Sequence, residues 1–438
     1  MLQTLRNAWK IPDLRRRILF TLMMLVVFRF GAHIPVPYLS AEAMQAFLGS
    51  GTDLFSLFDV FTGGAFSNAT VMAMGVSPYI NASIIVQLLT VAIPSLERLA
   101  KEGLEGRKKI NKITRYLGIA LAFVQGAGLY VTLYNMGSAI TNPSVLTFFV
   151  IVLTFTAGTA FIIWLGELIT EKGLGNGVSL IIFAGIVSRI PTAAYALYNM
   201  KLGSGITAGG LVFVAAVVIV AIAAITFVVF FSDAERRIPV QYAKRVVGRK
   251  MYGGQSTNIP IKVAAGGVMP IIFASSIMAF PATIVRLLTG GNMPTSGLGY
   301  YLLGCLSAGY ASEWWTSLVY AILYALLILF FTYFYSSIQF NPIELANNMK
   351  KSGGYIPGIR PGKPTSDYIG KISSRLNLIG AFFLAVIAIL PVIVGAIFKI
   401  NALQIGGTSL LIMEGVALET VRQIESQMTM RHYKGFLE

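Results

Sequence analysis

The chain has 438 residues, of which 55% are hydrophobic and 12% charged; its net charge is +16 and its mean hydropathy is +0.73. This apolar content exceeds what a soluble domain needs to fill its core. The single cysteine, Cys305, has no second cysteine for an internal disulfide and no partners for a metal site. The composition therefore indicates a membrane protein and does not suggest redox or metal chemistry.

Ten long apolar stretches run through the chain, and most approach the ~20 residues needed to cross a bilayer. The first follows a basic arm and resembles a secretion signal, but no small-residue cleavage pattern follows, so we interpret it as the first span. The stretches centre near Val26, Ile84, Phe123, Ile151, Ile182, Val218, Ile272, Leu326, Ala385 and Leu411.

The positive charges alternate between the connections. Of the 34 Lys and Arg residues, 29 lie in the N-terminal arm, in every second connection and in the C-terminal tail. Connections that retain Lys and Arg stay in the cytoplasm, so both termini are predicted to be cytoplasmic and the number of spans to be even. Five spans lie on each side of the polar connection 192–207, which favours an inverted repeat. We predict an all-α polytopic membrane protein of ten transmembrane helices, in inverted pseudo-symmetric halves 1–200 and 201–438.

A short half-apolar piece at residues 54–61 lies in the long outer segment after the first span. It is too short to cross the bilayer. It is either an interfacial helix or a segment that folds back into a cavity, where protein or water must cover its backbone. The residues by themselves favour the interfacial helix.

Two long basic loops, at about 233–262 and 341–375, are predicted on the cytoplasmic side. The first partly alternates apolar and polar residues around a glycine-rich turn, which predicts a projecting ribbon. The second has turns set by Gly and Pro that would hold Arg360 on a fixed scaffold. Their positive charge either keeps the loops in the cytoplasm and contacts anionic lipid, or docks an acidic or polyanionic partner. The length and definition of the loops favour docking.

Motifs for catalysis are missing from the sequence: there is no Gly-x-x-x-x-Gly-Lys-Ser/Thr, no His-Glu-x-x-His and no Gly-x-Ser-x-Gly. An ion-coupled carrier is an alternative, because such proteins place ionisable groups near the membrane midplane. Its candidates are Arg29 and Glu414, with Glu167 nearer a span end.

Two aliphatic pairs favour a different function. Ile80 and Ile84, and likewise Val178 and Ile182, are four residues apart and share one helical face. Such residues usually face lipid or a packed neighbour. The alternative is a ring of aliphatic side chains that closes a pore by excluding water.

Several separated motifs resemble the SecY family, the central subunits of bacterial Sec protein-translocation channels. The most specific is TVMAMGVSPYINASIIVQLL at 70–89; the others are RFGAHIPVP at 29–37, GNG at 175–177, ERRIP at 235–239, YIPGIRPG at 355–362 and GGTSLLI at 406–412. The resemblance covers nearly the whole chain and implies a protein-conducting channel, not an enzyme, that passes unfolded polypeptides across the bacterial cytoplasmic membrane and releases hydrophobic segments sideways into lipid.

The resemblance also implies roles for particular residues. The pore ring would be Ile80, Ile84, Val178, Ile182, Ile272 and Ile412. A plug at about 55–66 would include Leu57, Phe58, Phe61, Gly63, Gly64 and Phe66, which reverses the preference for an interfacial helix. The lateral gate would carry Gln87, Ser275 and Ser276.

Partners follow from the same resemblance. The SecA motor and the ribosome would contact Arg236, Arg237, Lys244, Arg245, Arg249 and Arg360. SecE and SecG are expected as membrane subunits, and secretory precursors, signal sequences and lipid as transient partners; no cofactor and no direct DNA binding are expected. Two residues depart from the family pattern: Glu414, where relatives tend to be apolar, and Tyr38, which replaces a glycine that often ends the first-span motif.

Overall fold

A computed structural model describes residues 6, 8–49, 59–135, 139–192, 194–195, 198, 208–242, 245–247, 250–252, 256–263, 266–288, 296–307, 313–398 and 407–434. The chain divides into two compact units. Unit 1 comprises Met1–Val214, Ser276–Tyr320 and Gly395–Glu438, and unit 2 comprises Ala215–Ser275 and Ala321–Val394. The predicted halves 1–200 and 201–438 are defined by the order of the spans along the chain, whereas these units are defined by contacts. The division into halves therefore stays a prediction.

Most of the described chain is helical. The helices are α1 (Pro12–Gly31), α2 (Ala41–Gly49), α3 (Ser77–Ala92), α4 (Pro94–Lys101), α5 (Leu104–Asn135), α6 (Val145–Lys172), α7 (Gly177–Ser188), α8 (Ala208–Ser232), α9 (Met269–Leu288), α10 (Leu298–Leu306), α11 (Trp314–Gln339), α12 (Pro342–Lys351), α13 (Lys363–Phe398) and α14 (Gly407–Lys434). The strands are β1 (Glu235–Tyr242), β2 (Arg245–Val247), β3 (Lys250–Tyr252), β4 (Ser256–Lys262) and β5 (Gly354–Tyr355).

All ten predicted span centres fall inside helices, namely α1, α3, α5, α6, α7, α8, α9, α11, α13 and α14. Among the described residues, five helices are long and apolar enough to cross a membrane, in α5, α6, α8, α11 and α13. The count becomes six if α3 and α4, bent by 101° at a short break, form one span. The fold is therefore that of an all-α polytopic membrane protein, and ten spans is consistent with it but stays a prediction.

Local sequence explains where several helices begin. Proline occupies the first turn of α1, α3, α4 and α12, where its missing N–H costs nothing. Side chains of Ser144, Asn176 and Asn341 accept backbone N–H groups at the starts of α6, α7 and α12. The starts of these helices therefore follow from N-terminal prolines and from side-chain caps.

The core of unit 1 lies where α5 and α6 pack together and cover the segment that follows the predicted plug. Its fully buried members include Phe66, Met44, Leu133, Ile151 and Phe155. Gly158 of α6 lets the backbone of residue 71 approach so closely that a Cβ would clash with its carbonyl oxygen. The segment before α3 is therefore fixed against the helices.

Unit 2 contains a three-stranded sheet in the order β4-β1-β5, with β1 antiparallel to both neighbours. Glu235 pairs with Lys262 and Gln241 with Ser256, so the ribbon predicted for the first basic loop is confirmed. The strand β5 belongs to the second basic loop, and Tyr355 pairs with Gln241. The two loops therefore share one sheet, which the sequence did not predict.

The sheet covers a small apolar core of its own. Along β1, Ile238 and Val240 alternate with exposed residues and point inward. They pack with Ile261 of β4, Met349 of α12 and Ile369 of α13. This core, which includes residues of α12 and α13, gives the two basic loops a fixed shape.

Candidate functional site

The helix α7 carries two of the predicted pore-ring residues, Val178 and Ile182, and it crosses α6 very closely. A Cβ on Gly166 would lie 2.9 Å from Cγ2 of Val178. The Asn176 side chain caps the start of α7 by accepting the N–H groups of residues 178 and 179, at 3.1 and 3.3 Å. The glycine contact and the cap together fix the helix that carries the aliphatic pair.

The other predicted ring residues lie on three further helices. Ile412 is on α14, which packs against α7, and both Ile412 and Ile182 are buried. Ile80 and Ile84 are on α3 and partly exposed. Ile272 is on α9 in unit 2 and also partly exposed. Five of the six therefore belong to unit 1, and the ring itself stays a prediction.

Residues 59–67, here called the plug segment, include four of the predicted plug residues: Phe61, Gly63, Gly64 and Phe66. Leu57 and Phe58 lie outside the described residues. The segment begins with a helical turn at 59–61 and continues as tight turns. Phe66 is fully buried in the core of unit 1. This burial supports a folded-back segment over an interfacial helix.

Hydrogen bonds within the plug segment close it into a compact loop. The Asp59 carboxylate accepts the N–H of Ser67 at 2.7 Å, and the Asp59 carbonyl accepts the N–H of Gly64 at 2.9 Å. The Thr62 hydroxyl donates to the same carbonyl at 3.2 Å. Gly63 and Gly64 have φ values of +65° and +88°, which favour glycine. These hydrogen bonds connect Asp59 to Thr62, Gly64 and Ser67.

The plug segment contacts α1 and the C-terminal end of α7. Nη1 of Arg29 donates to the carbonyl of Gly63 at 2.7 Å. The guanidinium of Arg189 forms an ion pair with the Asp59 carboxylate. A Cβ on Gly185 would clash with the carbonyl oxygen of Phe61. The plug segment thus lies against the same helix as the aliphatic pair, one turn beyond Ile182.

The predicted lateral-gate residues are half-buried. Gln87 is on α3, and its backbone carbonyl accepts the Thr90 hydroxyl at 2.6 Å. The Ser275 hydroxyl donates to the carbonyl of Ile272 in its own helix at 3.0 Å. Ser276 follows it on α9. Ser275 therefore has a local hydrogen bond, and the gate role of all three stays a prediction.

Three of the predicted docking residues, Arg236, Arg237 and Arg360, are exposed residues of unit 2. Arg236 and Arg237 are exposed on β1, and Arg237 pairs with Glu235 at 2.7 Å. Arg360 is exposed, and its carbonyl accepts the Thr365 hydroxyl at 2.9 Å, which fixes the turn. Arg245 belongs to β2, whereas Lys244 and Arg249 lie outside the described residues. The sheet therefore presents Arg236 and Arg237 on a rigid support.

The candidates for an ion-coupled carrier have structural contacts of their own. Arg29 binds the plug segment, and Glu167 pairs with Arg115 of α5 at 3.0 Å. Glu414 lies half-buried on α14. Tyr38, the other departure from the family pattern, has a φ of +65°, in the left-handed region that favours glycine.

Two residues with prominent contacts were missed by sequence reasoning, Asp59 and Arg189. Asp59 is the acidic residue of the half-apolar piece 54–61, and Arg189 is one of the five Lys and Arg residues outside the predicted cytoplasmic segments. A charge of either sign in such surroundings is a signal for a partner. The sequence could not pair them, because 130 positions separate them.

Comparisons with known proteins agree on one family. The SecY family model matches residues 70–421. The protein translocase subunit SecY of Mycobacterium bovis is 45% identical over 464 aligned residues, covering 100% of both chains. A solved SecY structure, described as one whose plug domain stabilises the closed state of the translocation channel and maintains a membrane seal, has a TM-score of 0.67 at 22% identity, covering 94% of this chain and 92% of that one. Sec61 in the canine ribosome-channel complex has a TM-score of 0.62 at 18% identity, with the same coverages. The chain belongs to the SecY family.

Proposed function

We propose that the chain is a protein-conducting channel subunit that passes unfolded secretory polypeptides across the bacterial cytoplasmic membrane, with both termini in the cytoplasm. The observation that carries the proposal is the plug segment, which is buried against the helix that bears Val178 and Ile182. The 45% identity over the full length of the protein translocase subunit SecY of Mycobacterium bovis supports it. A buried loop beside an aliphatic helix is suited to closing a pore that must open for large cargo.

Aliphatic side chains suit the waist of such a pore. They deform around side chains of many sizes and offer no charge or strong hydrogen bond that would retain the moving chain. Ions are excluded because a narrow apolar constriction cannot replace their hydration shell. The proposed ring of Ile80, Ile84, Val178, Ile182, Ile272 and Ile412 therefore seals against ions while it yields to polypeptide.

Lateral release follows from the same physics. When spans two and seven part, an apolar segment inside the pore meets hydrocarbon and partitions into it, whereas a polar segment continues across. These spans are α3, with Gln87, and α9, with Ser275 and Ser276. We propose that the gate lies between them, so that sorting depends on the transfer free energy of each segment.

The driving energy must come from partners, since the sequence has no P-loop and channel subunits of this family are not enzymes. The exposed arginines of the β4-β1-β5 sheet and the turn at Arg360 are the proposed docking surface for the SecA motor and the ribosome. A canine relative of the same fold is described in a ribosome-channel complex. SecE and SecG are the proposed membrane partners.

The test is reconstitution of the chain with SecE and SecA in proteoliposomes, followed by addition of a secretory precursor and ATP. Protection of the precursor from external protease supports the proposal. Liposomes that contain SecE and SecA without the chain are the control. Protection that is equal with and without the chain would contradict it.

A further inference from the structure

The plug segment is held by two basic side chains that come from two different helices. Arg29 of α1 binds the carbonyl of Gly63, and Arg189 at the end of α7 binds the Asp59 carboxylate. The Asp59 side chain is only 3% exposed and that of Arg189 is 26% exposed. A carboxylate this deeply buried requires a partner, because an unpaired charge there is costly.

We propose that Asp59 and Arg189 form a latch, whose ion pair holds the plug segment against the C-terminal end of α7 while the channel is closed. The inference rests on the proposed channel function and assigns positioning roles within it. The two carboxylate oxygens of Asp59 have separate tasks. One accepts the N–H of Ser67 and closes the plug segment on itself, and the other binds Arg189 and connects it to α7.

The far end of the plug segment is anchored differently. Phe66 is fully buried among apolar residues of α5 and α6, so it is expected to stay in place when the other end moves. Opening therefore requires that the polar contacts of Asp59 and Gly63 break, while Phe66 remains buried. Once the segment leaves, water can form hydrogen bonds with the polar groups that are freed at Asp59 and Gly63, so the net cost of release is modest and closure is reversible.

The charges around the latch are not balanced. Arg29 and Arg189 repel each other across the plug segment, and Asp59 is the acid bound between the segment and α7. Removal of the Asp59 charge leaves Arg29 and Arg189 as two like charges at the segment, whereas removal of the Arg189 charge leaves the buried Asp59 carboxylate without its ion-pair partner. Because an unpaired buried carboxylate is the costlier of the two, we expect Arg189→Gln to release the segment at least as strongly as Asp59→Asn does. An asparagine still accepts the Ser67 N–H, so the substitution tests the charge separately from the loop closure.

The experiment measures exposure of the plug segment directly. Val60 is 2% exposed, and in a Cys305→Ser background a Val60→Cys probe reports on release through its reaction with a membrane-impermeant maleimide. We expect labelling on the order of tenfold faster in Arg189→Gln, a similar or smaller increase in Asp59→Asn, and near-original labelling in Arg189→Lys, which keeps the charge. Glu42→Gln, which neutralises an exposed carboxylate on α2, is the matched control and should leave labelling unchanged.

The latch is refuted if Asp59→Asn and Arg189→Gln are labelled no faster than Glu42→Gln. Should Arg189→Gln not fold because it leaves the buried Asp59 carboxylate unpaired, Asp59→Asn carries the test, since its neutral amide leaves no buried carboxylate and still accepts the Ser67 N–H. Precursor protection is measured in the same preparations. Absence of protection with the unsubstituted chain contradicts the proposed function, whereas normal protection together with unchanged labelling contradicts the latch alone.

Discussion

One added methyl group at Gly185 is predicted to open the closed channel to ions. A Cβ built there lies 3.0 Å from the carbonyl carbon of Phe61, 3.2 Å from the N atom of Gly63, and closer still to the Phe61 oxygen. Ordinary contacts require the plug segment to withdraw by roughly 1 Å. The 2.7 Å bond from Arg29 to the Gly63 carbonyl would then exceed the usual hydrogen-bond range. Loss of one such charge-assisted bond weakens closure by about 1.5 kcal/mol, or about tenfold in the open population.

The assay is ion efflux from proteoliposomes that contain Gly185→Ala and no precursor. Gly126→Ala is the matched control, because a Cβ at Gly126 on α5 would lie 3.7 Å from its nearest neighbour, an ordinary contact. Both substitutions favour helix by up to about 1 kcal/mol, so propensity alone predicts no difference between them. Equal efflux from the two variants would refute the reasoning that the segment closes against α7.

Three further predictions concern the waist, the docking surface and the membrane scaffold. Ile84→Lys or Ile272→Lys should leak ions, since a charge at the apolar constriction admits water; unchanged conductance in planar bilayers would contradict this. Arg360→Glu should impair SecA-driven export while leaving the amount of assembled channel unchanged; full export in a precursor-protection assay counts against the docking role. Thr21→Val should lower the melting temperature, because the buried N–H of Leu174 loses its 3.1 Å acceptor at a cost of ~1–3 kcal/mol; an unchanged melting temperature in detergent would contradict this.

The helical skeleton could be predicted because apolar length is a local property of sequence. Each predicted span centre, from Val26 to Leu411, falls within a helix. The break between α3 and α4 was not predicted, although Pro94 lies at the break and disfavours continuation of the first helix. Short helices such as α7 remain the hardest to assign as spans, because length no longer distinguishes them from buried core helices.

Some features of the candidate site could be predicted from local sequence, whereas others depend on contacts between residues far apart in the chain. The turn at Arg360 and the ribbon of β1 and β4 followed from Gly, Pro and alternation in the sequence. The addition of β5 to that ribbon, and the pairing of Asp59 with Arg189, depend on contacts between residues more than a hundred positions apart. No local pattern encodes such a contact. The motif resemblance changed the assignment of the plug from an interfacial helix to a folded-back segment, which the burial of Phe66 supports.

The most direct test of the account is crosslinking of a secretory precursor that is arrested midway through the membrane. Photo-reactive side chains are placed singly at Ile84 and Ile182, and at the exposed position Phe230 of α8 as a control. The account predicts crosslinks from both waist positions to the stretch of the precursor that lies within the membrane, and none from Phe230. An arrested precursor that never crosslinks to positions 84 and 182 would contradict the central claim, that polypeptide passes through an aliphatic constriction within this chain.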